Sequence, residues 1–196
     1  MNRVYAVLYP LIWIFMRIFH PWKAEGRENV PDGAVVMCGN HTTLGDPIYV
    51  VCALGWKCQT RVIAKEELMK IPVLGFLLEK AGIIGIKRGK ADVAAIKEAM
   101  RVLRNGEKLL LFPEGTRVKE GESAAAHTGA AMFATRTDTM LLPIYISPKK
   151  KLFRKTRVVF GQPYKATYEG RKAGPEDYQR IADDLMDRIH HLGGAQ

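Results

Sequence analysis

A chain of 196 residues, 47% hydrophobic and 26% charged, is long enough for one domain with a substantial core and too apolar to be disordered. Its net charge of +10 points to an anionic partner: nucleic acid, a membrane surface or a phosphorylated substrate. The three cysteines, Cys38, Cys52 and Cys58, are odd in number and lack a usual zinc spacing, so they read as buried free thiols of a reducing cytosol.

From the N-terminus, VYAVLYPLIWIFM (4–16) carries no charge and lies between Arg3 and Arg17, with His20, Trp22 and Lys23 beyond. Thirteen apolar residues are too few to span a bilayer, which takes roughly 20. No small-residue cleavage site follows, as a signal peptide would require. The run fits a helix lying in the membrane interface, aromatics at headgroup depth and cations near anionic lipid, or else a core helix. Pro10 is expected to kink a long helix here. After a polar turn at GRENVPDG, strands are expected at 34–40, 61–65, 83–88, 108–115, 140–146 and 157–164. Helices are expected at 47–55, 66–82 (interrupted by Pro72), 91–106, 127–138 and 175–192. In the 91–106 segment, Val93, Ile96, Met100 and Leu103 share a face. This alternation predicts an α/β fold: a single domain with a mostly parallel central sheet flanked by helices, plus the interfacial N-terminal helix at 1–23. In such sheets ligand sites gather at the carboxyl ends of strands.

Two strand ends carry the chemistry. In GNHTTLGDP, His41 and Asp46 stand five positions apart, about 500° of helical turn, so they cannot share a helix face. Asp46-Pro47 reads as an N-cap and first helical residue, with His41 in the loop before it. The pair is either a cap beside a loop histidine, or a base held by its orienting carboxylate without a nucleophile of its own. In LLLFPEGTR an apolar strand ends in Glu114, Gly115, Thr116 and Arg117. The guanidinium offers a planar fork for a phosphate, or merely pairs with Glu114 at the surface.

Together these blocks resemble the glycerolipid acyltransferase family, in particular its 1-acylglycerol-3-phosphate acyltransferases. Asn40-His41 with Asp46 matches the family's NHxxxxD motif, and Phe112 to Arg117 matches FPEGTR letter for letter. Gly82 to Arg88 resembles its second motif, LLPIYI around Pro143 its fourth, and AKEEL with KIPVLG its connecting segment. Two departures stand out. Gly85 occupies a position that is usually bulky, which would widen an acyl pocket. AAAHTGA (124–130) replaces a more basic stretch. A long second N-terminal membrane helix is not evident, so shallow attachment is expected.

The resemblance implies transfer of a fatty acyl group from acyl-CoA or acyl-carrier protein to the sn-2 hydroxyl of 1-acyl-glycerol-3-phosphate, giving phosphatidic acid. It implies His41 as the base and Asp46 as its orienter. Arg117 and Lys65 would hold the acceptor phosphate, with Arg88 assisting, and Glu114, Gly115 and Thr116 would position substrate. A hydroxyl needs such a base at neutral pH, whereas a thioester is already activated, so no metal, cofactor or covalent intermediate is expected. The basic run KKKLFRKTR (149–157) is expected to face anionic lipid or solvent, and IPVLGFLL (71–78) to insert into lipid, line an acyl tunnel or pack in the core. The expected setting is the cytoplasmic face of the cell membrane, peripheral or monotopic, with membrane lipid and an acyl donor as partners. Other acceptors, such as a lyso-ornithine lipid or glycerol-3-phosphate, suit the same residues. A catalytically dead membrane scaffold is also open. A basic nucleic-acid-binding module is permitted by charge, but the basic residues lack an aromatic stacking pattern, so no nucleic acid is expected.

Overall fold

The computed structural model describes residues 3–87, 92–114 and 128–194. Seven strands form one sheet: β1 (Trp22–Glu25), β2 (Val35–Gly39), β3 (Thr60–Lys65), β4 (Ile84–Ile86), β5 (Lys108–Leu111), β6 (Met140–Ile146) and β7 (Thr156–Phe160). Their order is β1-β7-β6-β2-β5-β3-β4. Every pairing is parallel except β6 with β7, so β2 to β6 all end on one edge and β1 and β7 run the other way. The expected α/β architecture is present. β1 is an addition: the polar turn after it hides a four-residue edge strand too short to show a period.

The central strand β2 explains why both faces are covered. Val35, Val36, Met37 and Cys38 are all fully buried, a continuous apolar run of the kind that a doubly covered parallel sheet demands. Alternation sends Val36 and Cys38 into one core with helices α5 (Val93–Arg104), α6 (Gly129–Thr137) and α7 (Pro175–Leu192). Val35 and Met37 enter the other, with α2 (Asp46–Leu54) and α1 (Arg3–Phe19). On α5 the buried face is Ala95, Ala99, Val102 and Leu103, while Val93 is exposed and Ile96 and Met100 only flank the core. The face is rotated from the one expected because small alanines allow the helix axis to approach the sheet, leaving larger side chains at the margin. Asp92 caps this helix through Ala95 N–H, 3.1 Å away.

α1 is neither purely interfacial nor purely core. Tyr9 and Met16 are buried, and Trp13 packs edge-on against Trp22 at 5.8 Å. Tyr9 donates to the Cys52 carbonyl of α2, and Tyr49 and His20 share a hydrogen bond of 3.3 Å. The opposite stripe, Val7, Leu11, Ile14 and Ile18 at helical spacing, is exposed. Pro10 lies inside the helix without ending it. Among the described residues no helix is long and apolar enough to cross a membrane.

The expected segment 66–82 resolves into α3 (Glu66–Met69) and α4 (Leu74–Lys80). Ile71, Val73, Leu74 and Phe76 are exposed rather than packed in the core. Gly85 opens no pocket: a β-carbon there would meet Met69 Cγ at 2.9 Å, so the vacated volume is already filled from α3. Cys38, Cys52 and Cys58 are free, and burial pushes the first two thiols up in pKa.

Candidate active site

At the carboxyl edge, β2 delivers Asn40 and His41, and the chain turns at once into α2. Asn40 is buried and bonded twice to the end of β6: its Nδ2 donates to the Ile146 carbonyl at 2.9 Å, and Ile146 N–H donates to its Oδ1 at 2.7 Å. That clamp fixes where the next residue begins. The His41 ring stacks on Phe112, with centroids 4.4 Å apart and planes at 27°. Gly39 makes room for this, since Phe112 comes within 3.3 Å of where a β-carbon would stand.

Asp46 is the first residue of α2 rather than its cap; Gly45 precedes it and makes no side-chain cap bond. Its carboxylate turns back on the loop instead. Oδ2 accepts from Thr42 N–H and Thr43 N–H, both at 2.7 Å, and meets His41 Nδ1 at 3.1 Å. Oδ1 accepts from Thr43 Oγ1 at 3.0 Å and lies 2.7 Å from Lys150 Nζ. The Asp46 side chain is fully enclosed and that of His41 is 12% exposed. Burial pushes the Asp46 carboxyl up, but the His41 bond, the Lys150 charge and the threonine N–H donors outweigh it and hold it below the ordinary range.

Glu114, 6% exposed, accepts from His41 N–H at 3.1 Å through Oε2. Burial raises its carboxyl above the usual value, the His41 contacts working against that rise and the nearby Asp46 charge adding to it. His41, Asp46 and Glu114 are therefore brought together as one cluster drawn from two adjacent strand ends. Lys65 ends β3, exposed on the same edge and two strands from β2, about 10 Å along the sheet. Arg88, Gly115, Thr116 and Arg117 lie outside the described residues. Among the described residues no three His, Cys, Asp or Glu side chains gather as metal ligands.

Sequence reasoning missed Lys150, placing it in a basic run that faces anionic lipid or solvent. The available signal was its position four residues past Ile146 at the end of β6, but only the β2–β6 pairing shows that this end abuts His41. Chemically, an imidazole whose Nδ1–H is held by a buried, ionised carboxylate keeps its Nε2 lone pair for accepting a proton from a ligand hydroxyl.

A 1-acyl-sn-glycerol-3-phosphate acyltransferase of Borreliella burgdorferi is 32% identical over 66% of this chain and 52% of its own length. A lyso-ornithine lipid O-acyltransferase of Pseudomonas aeruginosa is 30% identical over 66% of this chain and 49% of its own. The chain thus spans about half the length of these curated relatives. The crystal structure of the Thermotoga maritima 1-acyl-sn-glycerophosphate acyltransferase, PlsC, superposes with a TM-score of 0.71 at 23% identity, over 98% of this chain and 82% of that one, and shows the same fold. The Acyltransferase family model matches residues 22–147, from β1 through the end of β6, and the chain belongs to that family.

Proposed function

We propose that the protein transfers a fatty acyl group from a thioester, acyl-CoA or acyl-carrier protein, to the sn-2 hydroxyl of 1-acyl-glycerol-3-phosphate, yielding phosphatidic acid. The observation that carries this reading is the 3.1 Å contact between His41 Nδ1 and the enclosed Asp46 carboxylate, on an edge that also presents Lys65. His41 Nε2 takes the hydroxyl proton as the oxygen attacks the thioester carbonyl. The tetrahedral intermediate then expels the thiolate, which receives that proton from the imidazolium. Asp46 keeps the ring in the productive tautomer and stabilises its charge. Glu114 anchors the loop through His41 N–H, and Gly115 and Thr116 complete the positioning segment. Lys65, Arg88 and Arg117 hold the acceptor phosphate.

The acceptor and product are bilayer lipids, and the surface suits that. The stripe of α1 is exposed, and at the helix's C-terminal end the Phe153 ring stands 5.8 Å from Phe19. Leu152 and Phe153 are exposed, and Lys149, Lys151, Arg154 and Lys155 flank them in sequence. Each cation near an anionic surface contributes roughly 1 kcal/mol. Attachment is peripheral or monotopic, at the cytoplasmic face of the cell membrane where acyl thioesters are available. The lyso-ornithine relative favours a second acceptor, equally served by the same base. Purified protein in mixed vesicles, given lysophosphatidic acid or lyso-ornithine lipid with acyl-CoA or acyl-carrier protein, tests both by lipid product analysis. Phosphatidic acid is expected. Product from the ornithine lipid alone overturns the phosphate assignment, and product from neither overturns the reading.

A further inference from the structure

In sequence Lys150 is one of several cations in the run 149–157, but the fold treats it differently. Its side chain is 8% exposed, whereas the other Lys and Arg side chains in the described ion pairs keep 28% to 67% of their surface. Its Nζ lies 2.7 Å from Asp46 Oδ1 and donates to Thr42 Oγ1, also at 2.7 Å. Desolvating an ammonium is costly unless its charge and its donors are met. Here a fully enclosed carboxylate and a hydroxyl meet them.

Resting on the reading above, we propose that Lys150 is a positioning residue of the His41–Asp46 pair: by holding Oδ1, it fixes the rotation of the carboxylate so that Oδ2 faces the imidazole. Without the ammonium, Oδ1 would keep only the Thr43 hydroxyl, while Oδ2 would keep three donors. The carboxylate would also feel Glu114, a second buried acid, without the cation that Lys150 supplies. The loop that carries Lys150 is pinned at both ends. Asn40 clamps Ile146 at its start, and Phe153 N–H donates to the Phe19 carbonyl at 2.8 Å toward its far end. Phe153 takes a left-handed conformation, φ 60°, to make that turn. Enclosed this way, the ammonium acts on Asp46 rather than on a substrate phosphate.

Among the described residues, the groups facing Asp46 are His41 and the threonines of its loop, Lys150 from the β6–β7 loop, Glu114 beyond β5, and Tyr49 of its own helix. Removing the one cation among them raises the pH at which Asp46 takes up a proton. Lys150→Met, similar in shape and uncharged, is expected to lower kcat about 10- to 100-fold, the range for misplacing a catalytic group. KM for lysolipid and thioester should stay within about twofold, since the ammonium is enclosed against Asp46 and Thr42. The acid limb of the kcat profile should move to higher pH, and Lys150→Arg should recover part of the loss. A folded K150M with unchanged kcat, or with a loss confined to KM, overturns the proposal. Lys150→Gln, neutral but still a donor, takes its place if K150M does not fold. A readout without substrate separates this proposal from the reading it rests on. In protein with ¹⁵N-labelled histidine, the downfield Nδ1–H resonance of His41 should be present in wild type and K150R and lost or moved upfield in K150M. An identical resonance in K150M overturns the role of Lys150 even if no lysolipid is acylated.

Discussion

The carboxyl edge around His41 and the outer stripe of α1 treat the same solvent in opposite ways. At the edge, charge is buried: Asp46 is fully enclosed, Glu114 and Lys150 nearly so, and both Asp46 oxygens have partners. On α1, oil is exposed: Val7, Leu11, Ile14 and Ile18 face outward while Tyr9 and Met16 carry the attachment to the domain. Buried charge is costly and is retained where geometry must be held, whereas a contiguous exposed apolar stripe marks a surface that meets something other than water. In the first region, burial holds the orientation of the charged groups through their mutual partners. The second gains little stability from its outer face, so it is free to change without unfolding the sheet.

The largest expected effect breaks the first region at its reactive end. His41→Ala should lower the acyl-transfer rate by about 10² to 10⁴ while the thermal midpoint moves little, checked by kcat and circular dichroism. Asp46→Ala should be the reverse in balance. It leaves Lys150 enclosed and unpaired, so a destabilisation of about 3–5 kcal/mol is expected in urea, beyond the loss of activity. The second region breaks differently. Replacing Leu11 and Ile18 together with Ser should reduce binding to anionic vesicles at least tenfold, on about 1.5–3 kcal/mol for each side chain buried in lipid, with the thermal midpoint held. Equal partitioning of wild type and variant would show that the stripe does not meet the bilayer.

Smaller effects sharpen the contrast through pH. The Asp46 carboxyl titrates below its unfolded value of about 3.9, so its contribution is present at neutral pH and is lost as the pH falls through the lower, folded value. Glu114 is shifted the other way. Stability therefore falls as the pH rises from about 4.3 toward its elevated folded value, and Glu114→Gln, which still accepts from His41 N–H, should remove that decline. Unfolding free energies of wild type and E114Q from pH 3 to 7 decide this, and parallel curves would deny Glu114 any raised pKa.

The sequence alone determined the α/β alternation and the buried run of β2; it placed His41 and Asp46 in one loop with a cap and a base both open, and the N-terminal segment as an interfacial or a core helix. Each is written in local spacing: periods of two and 3.6, a turn residue, a loop of five. It determined less where the answer depended on what lies across a gap in the chain. The run 149–157 holds four lysines and carries no mark of which one is enclosed. Lys150 meets Asp46 because β6 is the parallel neighbour of β2, a long-range pairing that ends both strands on one edge. The same holds for Gly85, whose missing side chain suggests a pocket until α3 is seen to place Met69 in the space, and for α5, where contact with the sheet favoured alanines over the larger apolar face. Tertiary structure decided these because burial, and therefore the cost of a charge or the filling of a void, belongs to the neighbours that a residue acquires on folding.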